Sequence, residues 1–431
     1  MRNKIIIGCF LLGALSARGQ VDELSVNEYK QRVLEYSRQI KQSAEERKAM
    51  QEAIKAAKTA FFPAVDFSGS YQYRINKYEL SMGDGIPGIE MDHNTYSLGA
   101  TVSQPVYAGG QIYNNYKAAQ VQGRISVQAE ELTTDNILYS ADLNYWSAAA
   151  RKGMYDVMTE YVAIVQKLAD VLTIRFDDGQ ISKTDLLQVQ SRLKEAELNK
   201  SNAYKDYQIA LQNLNSLMGA SPMAPIELRD SITMYQVLPL QVGEDVALRN
   251  RPEYAISELN IEYQQRQINL SKAKYNPSLA VGFQGTWGTP MLNVKGSDQL
   301  WTPALYVSLK IPLFHWGARI KEVNSQKAIL RSREYALDQT RDEIEQEVAN
   351  AWTGLTENTK QIAMAEEACR IAEENLDLNT FSYNEGKLPI LDVLSAQLSW
   401  IQSYSSLIQT WYQQKASLAQ YNKAVGNRRM Q

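Results

Sequence analysis

Two aspartates, Asp185 and Asp392, stand 207 residues apart, and each follows a glycine, Gly179 or Gly386, by six positions. A glycine that ends one helix and a carboxylate that opens the next make a tight helix–helix turn. The glycine supplies φ > 0, and the carboxylate complements the positive start of the following helix. Ser182 with Asp185 also approximates a capping box. If several copies met around an axis, the same carboxylates would form a cation-attracting ring. Catalytic chemistry is poorly supplied. The only histidines are His93 and His315, and the only cysteines are Cys9 and Cys369. There is no Gly-Lys-Ser/Thr phosphate loop, no His-Glu-x-x-His and no Gly-x-Ser-x-Gly. An enzyme would have to work with scattered carboxylates, so neither an enzyme nor a cofactor or metal centre is expected.

The spacing of 207 recurs in Pro105 and Pro312, Gly110 and Gly317, Gln190 and Gln397, and Gly219 and Gly426. Pro63 and Pro277 are instead 214 apart, so the first unit carries a loop seven residues longer. The unit is about 200 residues, too long for a solenoid repeat, and reads as a duplicated half-molecule. The first repeat is placed at 20–219, an intervening linker at 220–242, the second repeat at 243–426 and a tail at 427–431.

Each repeat holds two runs of strict alternation. Val65, Phe67, Tyr71 and Tyr73 interleave with Asp66, Ser68, Ser70 and Gln72; Leu305, Val307, Leu309 and Ile311 interleave with Ser308 and Lys310. Period two gives strands with one apolar and one wet face, near the length of a tilted membrane strand. A half-buried soluble sheet would alternate in the same way. The hairpins are placed at about 63–106 and 277–313. The remaining segments read as helices at about 26–60, 111–176, 183–218, 243–274, 318–383 and 389–425. A 66-residue helix would be a rod of roughly 100 Å. Leu186, Val189, Leu193, Ala196, Ala203, Tyr207, Ala210, Leu214 and Leu217 suggest a coiled-coil seam, and Leu391, Leu394, Leu398 and Ile401 begin its counterpart.

The leader sets the compartment. Arg2 and Lys4, the apolar run Ile5–Leu15 and Ala17-Arg18-Gly19 make residues 1–19 a secretory signal peptide. Ile6-Ile7-Gly8-Cys9 resembles a lipid-attachment box, but too few residues separate Lys4 from Cys9 for an apolar core. Removing the leader leaves 48 acidic against 42 basic residues, with no long basic run, so no nucleic-acid partner is expected. Of the whole chain of 431 residues, 44% are hydrophobic, yet no run reaches the ~18 apolar residues of a membrane helix. Four membrane-length strands cannot close a barrel alone, because an open edge in lipid leaves backbone groups unpaired. Two copies give eight strands and a plugged interior; three give twelve and a lumen, which the polar inner face favours.

Several motifs resemble the TolC-like outer-membrane efflux protein family across nearly the whole mature chain. They are Arg251-Pro252-Glu253 opening the second repeat, the strand-to-helix turns Gln104–Gly110 and Ile311–Gly317, and the tips Phe176–Gly179 and Tyr383–Gly386. The resemblance implies a homotrimer with a 12-stranded transmembrane β-barrel on a tunnel of 12 α-helical columns. It would lie in outer-membrane lipid and extend into the periplasm. It also implies a periplasmic adaptor and an inner-membrane pump of RND or ABC type as partners. By the same resemblance Asp185, Asp392 and Tyr383 belong to a periplasmic gate, Gly179 and Gly386 to adaptor-docking tips, and Pro105, Gly110, Pro312 and Gly317 to the strand–helix turns. The sequence departs from the family at Ser395, where a second gate aspartate is expected, and at Leu388, where an arginine is expected. The latch is then expected to be either weaker or built from Lys183, Lys387, Asp177, Asp178 and Glu385. The competing reading is a surface-anchored structural coiled coil without a channel, which has no need for four amphipathic strands.

Overall fold

A computed structural model describes residues 22–76, 79–80, 83, 89–233, 237–290, 294 and 298–427. The expected leader at 1–19, Cys9, and all but the first residue of the 427–431 tail lie outside the described residues. The chain runs β1 (Asp22–Leu24), α1 (Val26–Tyr36), α2 (Arg38–Thr59), β2 (Ala64–Tyr73), β3 (Glu79–Leu80), β4 (Ile89–Glu90), β5 (Asn94–Ala108), α3 (Gln111–Asp177) and α4 (Lys183–Leu217). It continues with β6 (Ile226–Leu228), α5 (Glu244–Asn250), α6 (Pro252–Ala273), β7 (Ser278–Gly288), β8 (Leu300–Lys310), α7 (Ala318–Asn384) and α8 (Ile390–Ala424). Among the described residues no helix is long and apolar enough to cross a membrane.

Two compact units cut across the sequence repeats. Of the described residues, one comprises those within 22–38, 134–247 and 347–427; the other comprises those within 39–133 and 248–346. Each therefore draws on both repeats, and α3 and α7, at 67 residues each, contribute to both.

The first unit is helical. Its larger core packs Val157, Tyr161, Val165, Ala169 and Leu172 of α3 with Leu186, Val189, Leu193 and Ala196 of α4, Leu376 and Tyr383 of α7, and Val393, Leu394, Trp400 and Ile401 of α8. The alternation of threes and fours in α4 is what keeps one apolar stripe facing its neighbours. Further along α4 the expected seam continues, with Leu214 buried and Tyr207, Ala210 and Leu217 partly buried against a further core, and Leu211 joins it. Its counterpart in α8 needs correction. In α8, Leu391 and Leu398 are 57% and 38% exposed, while Val393 and Trp400 take the core positions. A second core joins α1 to α3 and α4 around Leu24, Tyr29, Val33, Tyr145 and Leu214. It holds buried polar groups in pairs. Lys30 Nζ lies 2.5 Å from Asp142, and Tyr145 donates its hydroxyl to the Leu24 carbonyl at 2.8 Å.

The second unit is built around a four-stranded antiparallel sheet in the order β2-β5-β7-β8. The two expected hairpins are thus one sheet, joined through β5 and β7. The longer loop of the first hairpin carries the β3–β4 ribbon. Pro105, which has no N–H to donate, sits where the β5–β7 register shifts, so a bulge takes up the missing ladder bond.

Two expected helices are broken. The helix read at 26–60 divides at Ser37, whose φ of −42° and ψ of 117° leave helical space. The one read at 243–274 divides at Arg251, where Pro252 takes the first helical position. Ser37 and Arg251 are 214 apart, the offset that also relates Pro63 to Pro277. Only the second break carries a proline to announce it. There Arg251 grips Glu253 with two parallel bonds, Nε to Oε2 at 3.0 Å and Nη2 to Oε1 at 2.9 Å, which accounts for the Arg-Pro-Glu motif.

Candidate functional site

The helix tips belong to the first unit and repeat each other closely. At the end of α3 the Gln180 N–H donates to the Arg175 carbonyl at 2.8 Å and Gly179 N–H to Phe176 at 2.9 Å. At the end of α7 Lys387 donates to Ser382 at 2.9 Å and Gly386 to Tyr383 at 2.9 Å. Both glycines have φ of +72°, and a Cβ at either would meet nothing within 4 Å. Glycine is required here for its backbone conformation, not for space.

The two aspartates of the turns are not equivalent. Asp185 closes a full capping box: Ser182 Oγ accepts from the Asp185 N–H at 3.1 Å, and the Asp185 carboxylate accepts from Ser182 Oγ at 2.9 Å and Ser182 N–H at 3.3 Å. Its charge is committed to the start of α4. Asp392 sits in the first turn of α8 behind Pro389, which caps through backbone only. Its side chain is exposed and makes no bond among the described residues.

Tyr383 is buried in the helical core, and the Arg175 guanidinium carbon lies 5.4 Å from its ring centre. Arg175 Nη2 also donates to Asn384 Oδ1 at 3.4 Å. One arginine from the first tip therefore holds the second. Sequence reasoning missed Arg175; its position as the basic residue in the last turn of α3 was the available signal. Among the described residues Lys183, Lys387, Asp177, Asp178 and Glu385 form no ion pair.

Two grooves lie behind the tips. One, of about 450 Å³, runs between α4 and α8 past Gln188, Arg192, Leu391, Ser395 and Leu398. The other, of about 330 Å³, is lined by Leu168 and Val171 of α3, Leu376 and Asp377 of α7, and Val393 and Gln397 of α8. Gln397 is 2% exposed, yet its Oε1 has no hydrogen-bond donor.

In the second unit the registers sort the sheet into two faces. Val65, Val102, Phe283 and Leu305 form one cross-strand row; Gly69, Leu98, Trp287 and Trp301 form another on the same side. The opposite side carries Asp66, Thr101, Gln284 and Ala304 in one row and Ser68, Gly99, Thr286 and Thr302 in the next. All of β2 and all of β8 but Tyr306 are exposed, and each pairs on one side only.

The strand–helix turns follow from backbone demands. Gly109 and Gly110 have φ of +65° and +88°, and a Cβ on Gly109 would lie 2.7 Å from the Ala273 carbonyl oxygen. In the second repeat Gly317 has φ of +73°, but the place of Gly109 is taken by Trp316 at φ of +48°, 90% exposed and edge-on to Phe314. Pro312 follows the end of β8. The two histidines are in structural contacts: His93 Nδ1 lies 2.7 Å from the Arg74 carbonyl oxygen, and His315 packs on Tyr275.

Comparison with known proteins returns the same architecture. A family model described as outer membrane efflux protein matches residues 30–220 and 245–427. Outer membrane efflux protein BepC of Brucella suis is 21% identical over 365 residues, covering 83% of this chain and 75% of that protein. Alkaline protease secretion protein AprF of Pseudomonas aeruginosa is 20% identical over 336 residues, covering 75% and 68%. The Campylobacter jejuni CmeC outer membrane channel superposes with a TM-score of 0.76 at 16% identity, over 99% of this chain and 94% of that one. Matched across both repeats, the chain belongs to the outer membrane efflux protein family and is a channel protein of the outer membrane.

Proposed function

We propose that three copies of this chain close a passive duct serving a tripartite efflux or type I secretion machine. The observation that carries the reading is the sheet: an apolar face continuous over four strands, a polar reverse, and β2 and β8 left with open edges. In hydrocarbon each unpaired backbone group costs several kcal/mol, so β2 of one copy must pair with β8 of the next. Three copies give twelve strands with the polar face inward and room for a lumen.

The entrance lies at the tips. Asp392, uncommitted among the described residues, supplies an acidic ring when three copies surround the axis, with Arg175 on Tyr383 and Asn384 holding the hairpins together at rest. Asp185 contributes to turn stability first. The groove past Gln397, with its unsatisfied buried oxygen, and the tight turns at Gly179 and Gly386 fit a periplasmic adaptor that brings a donor and apolar side chains. The adaptor would link the duct to an inner-membrane pump, RND for small molecules or ABC for protein export. AprF is named for the secretion of a protease and BepC for efflux.

The test uses purified protein in mild detergent, with its mass read by light scattering and its conductance in planar bilayers. A particle of three chains passing cation-selective current, with selectivity reduced in Asp392→Ala, is expected. A single-chain particle, or a trimer that conducts nothing, overturns the duct.

A further inference from the structure

In the sheet-bearing unit, α2, α3 and α6 line an open groove of about 550 Å³ that no strand or tip shares. Four cations line it, Arg47, Lys117, Arg124 and Arg266, against one carboxylate, Glu262. Glu262 is divided between Arg124 and Arg266, the latter 3.9 Å away. Arg47 is balanced by Glu130, outside the lining. Lys117 donates to Gln120 Oε1 at 3.1 Å and lies 5.8 Å from the Tyr113 ring centre; among the described residues it meets no carboxylate. Two positive charges are therefore left over. Arg266 Nε is buried and donates to nothing. Such an orphaned donor forfeits free energy that an incoming anionic oxygen would restore.

The rest of the lining sets Ile54, Val121 and Val127 as an apolar strip beside Gln51 and Gln120, and α2 and α3 approach so closely that a Cβ on Gly123 would come 2.6 Å from Ile54 Cδ1. An inorganic anion would leave these side chains uncovered, and a neutral hydrocarbon would leave Arg266 without its acceptor. We propose that this groove binds a small amphiphilic anion. Its carboxylate, sulfate or phosphate head sits against Arg124, Arg266 and Lys117, and its alkyl or ring body lies over Ile54, Val121 and Val127. The volume falls within the range of small-molecule sites, about 300–1,000 Å³. The inference concerns one chain's own helices and does not rest on the trimer.

The test is photoaffinity labelling of the purified full-length protein in a nonionic detergent. The probe is octanoate carrying a diazirine on its chain, and labelled peptides are mapped by mass spectrometry. Saturable labelling of peptides around residues 51–54 and 121–127 is expected. Octyl sulfate should suppress it; octanol or inorganic sulfate at equal concentration should not. Arg266→Gln should raise half-saturation about tenfold, the effect of one charge-assisted bond. Gln51→Glu, a near-isosteric change on the exposed rim, should do likewise by repulsion without risk to folding. Labelling spread over the strands, suppression by octanol or sulfate as strong as by octyl sulfate, or unchanged half-saturation in Gln51→Glu would each overturn the proposal.

Discussion

Neighbouring residues Thr101 and Val102 offer a sharp test of which sheet face meets lipid. Val102 lies in the apolar row with Val65, Phe283 and Leu305, and Thr101 lies in the polar row with Asp66 and Gln284. Val102 is six residues from Tyr96, about 20 Å along the strand at ~3.4 Å per residue. At a strand tilt of 35–45° that is about 15 Å of depth below the Tyr96–Trp287 aromatic pair, near the middle of an apolar band about 25 Å tall. Arginine on the lipid face at the midplane costs about 2–4 kcal/mol per copy. Val102→Arg should therefore pay that cost three times in a trimer. Thr101→Arg, pointing into water, should cost little and shift conductance toward anions. The assays are denaturant-dependent unfolding in lipid vesicles, trimer survival on heating in detergent, and ion selectivity in bilayers. Equal destabilisation by the two substitutions, or a stable Val102→Arg beside a destabilised Thr101→Arg, would refute the face assignment.

Three further outcomes follow from the helical unit. Gly179→Ala should destabilise by about 1–2 kcal/mol, because an L-residue is forced into the left-handed region in open space; calorimetry on the purified protein reads it. Asp142→Ala should cost about 3–5 kcal/mol by leaving Lys30 buried without its partner, whereas the double change with Lys30→Met should recover much of it; urea unfolding of the two variants makes the comparison. Lys415, 3% exposed, has its pKa lowered to about 8 by burial, from an ordinary 10.5. Between those values the unfolded chain binds the extra proton, so stability should rise as pH goes from about 8 toward 10, and Lys415→Met should remove that rise in pH-dependent unfolding curves.

The duplication, the strand segments and the long helices were legible because each is written in local chemistry. Period-two alternation at Val65–Tyr73, proline-free stretches before Phe176 and Tyr383, and the glycines at 179 and 386 each declare a conformation within a few residues. The Ser182–Asp185 capping box is of the same kind. The break at Ser37 was not legible, since no proline or glycine marks it and only packing in the second core selects it.

What the tertiary structure alone decided are the pairings between distant segments. That β5 joins β7 to make one sheet depends on a register between residues nearly 190 apart, as in Leu98 and Trp287. Which leucines of α8 are buried depends on three other helices, so Leu391 is exposed where a seam counted along one helix would hide it. Arg175 reaches Tyr383 and Asn384 only because the two tips fold side by side. Sequence periodicity fixes how a segment bends and which residues share its face. Which neighbour covers that face is set by contacts among many elements at once, and those contacts leave no periodic mark in any one of them.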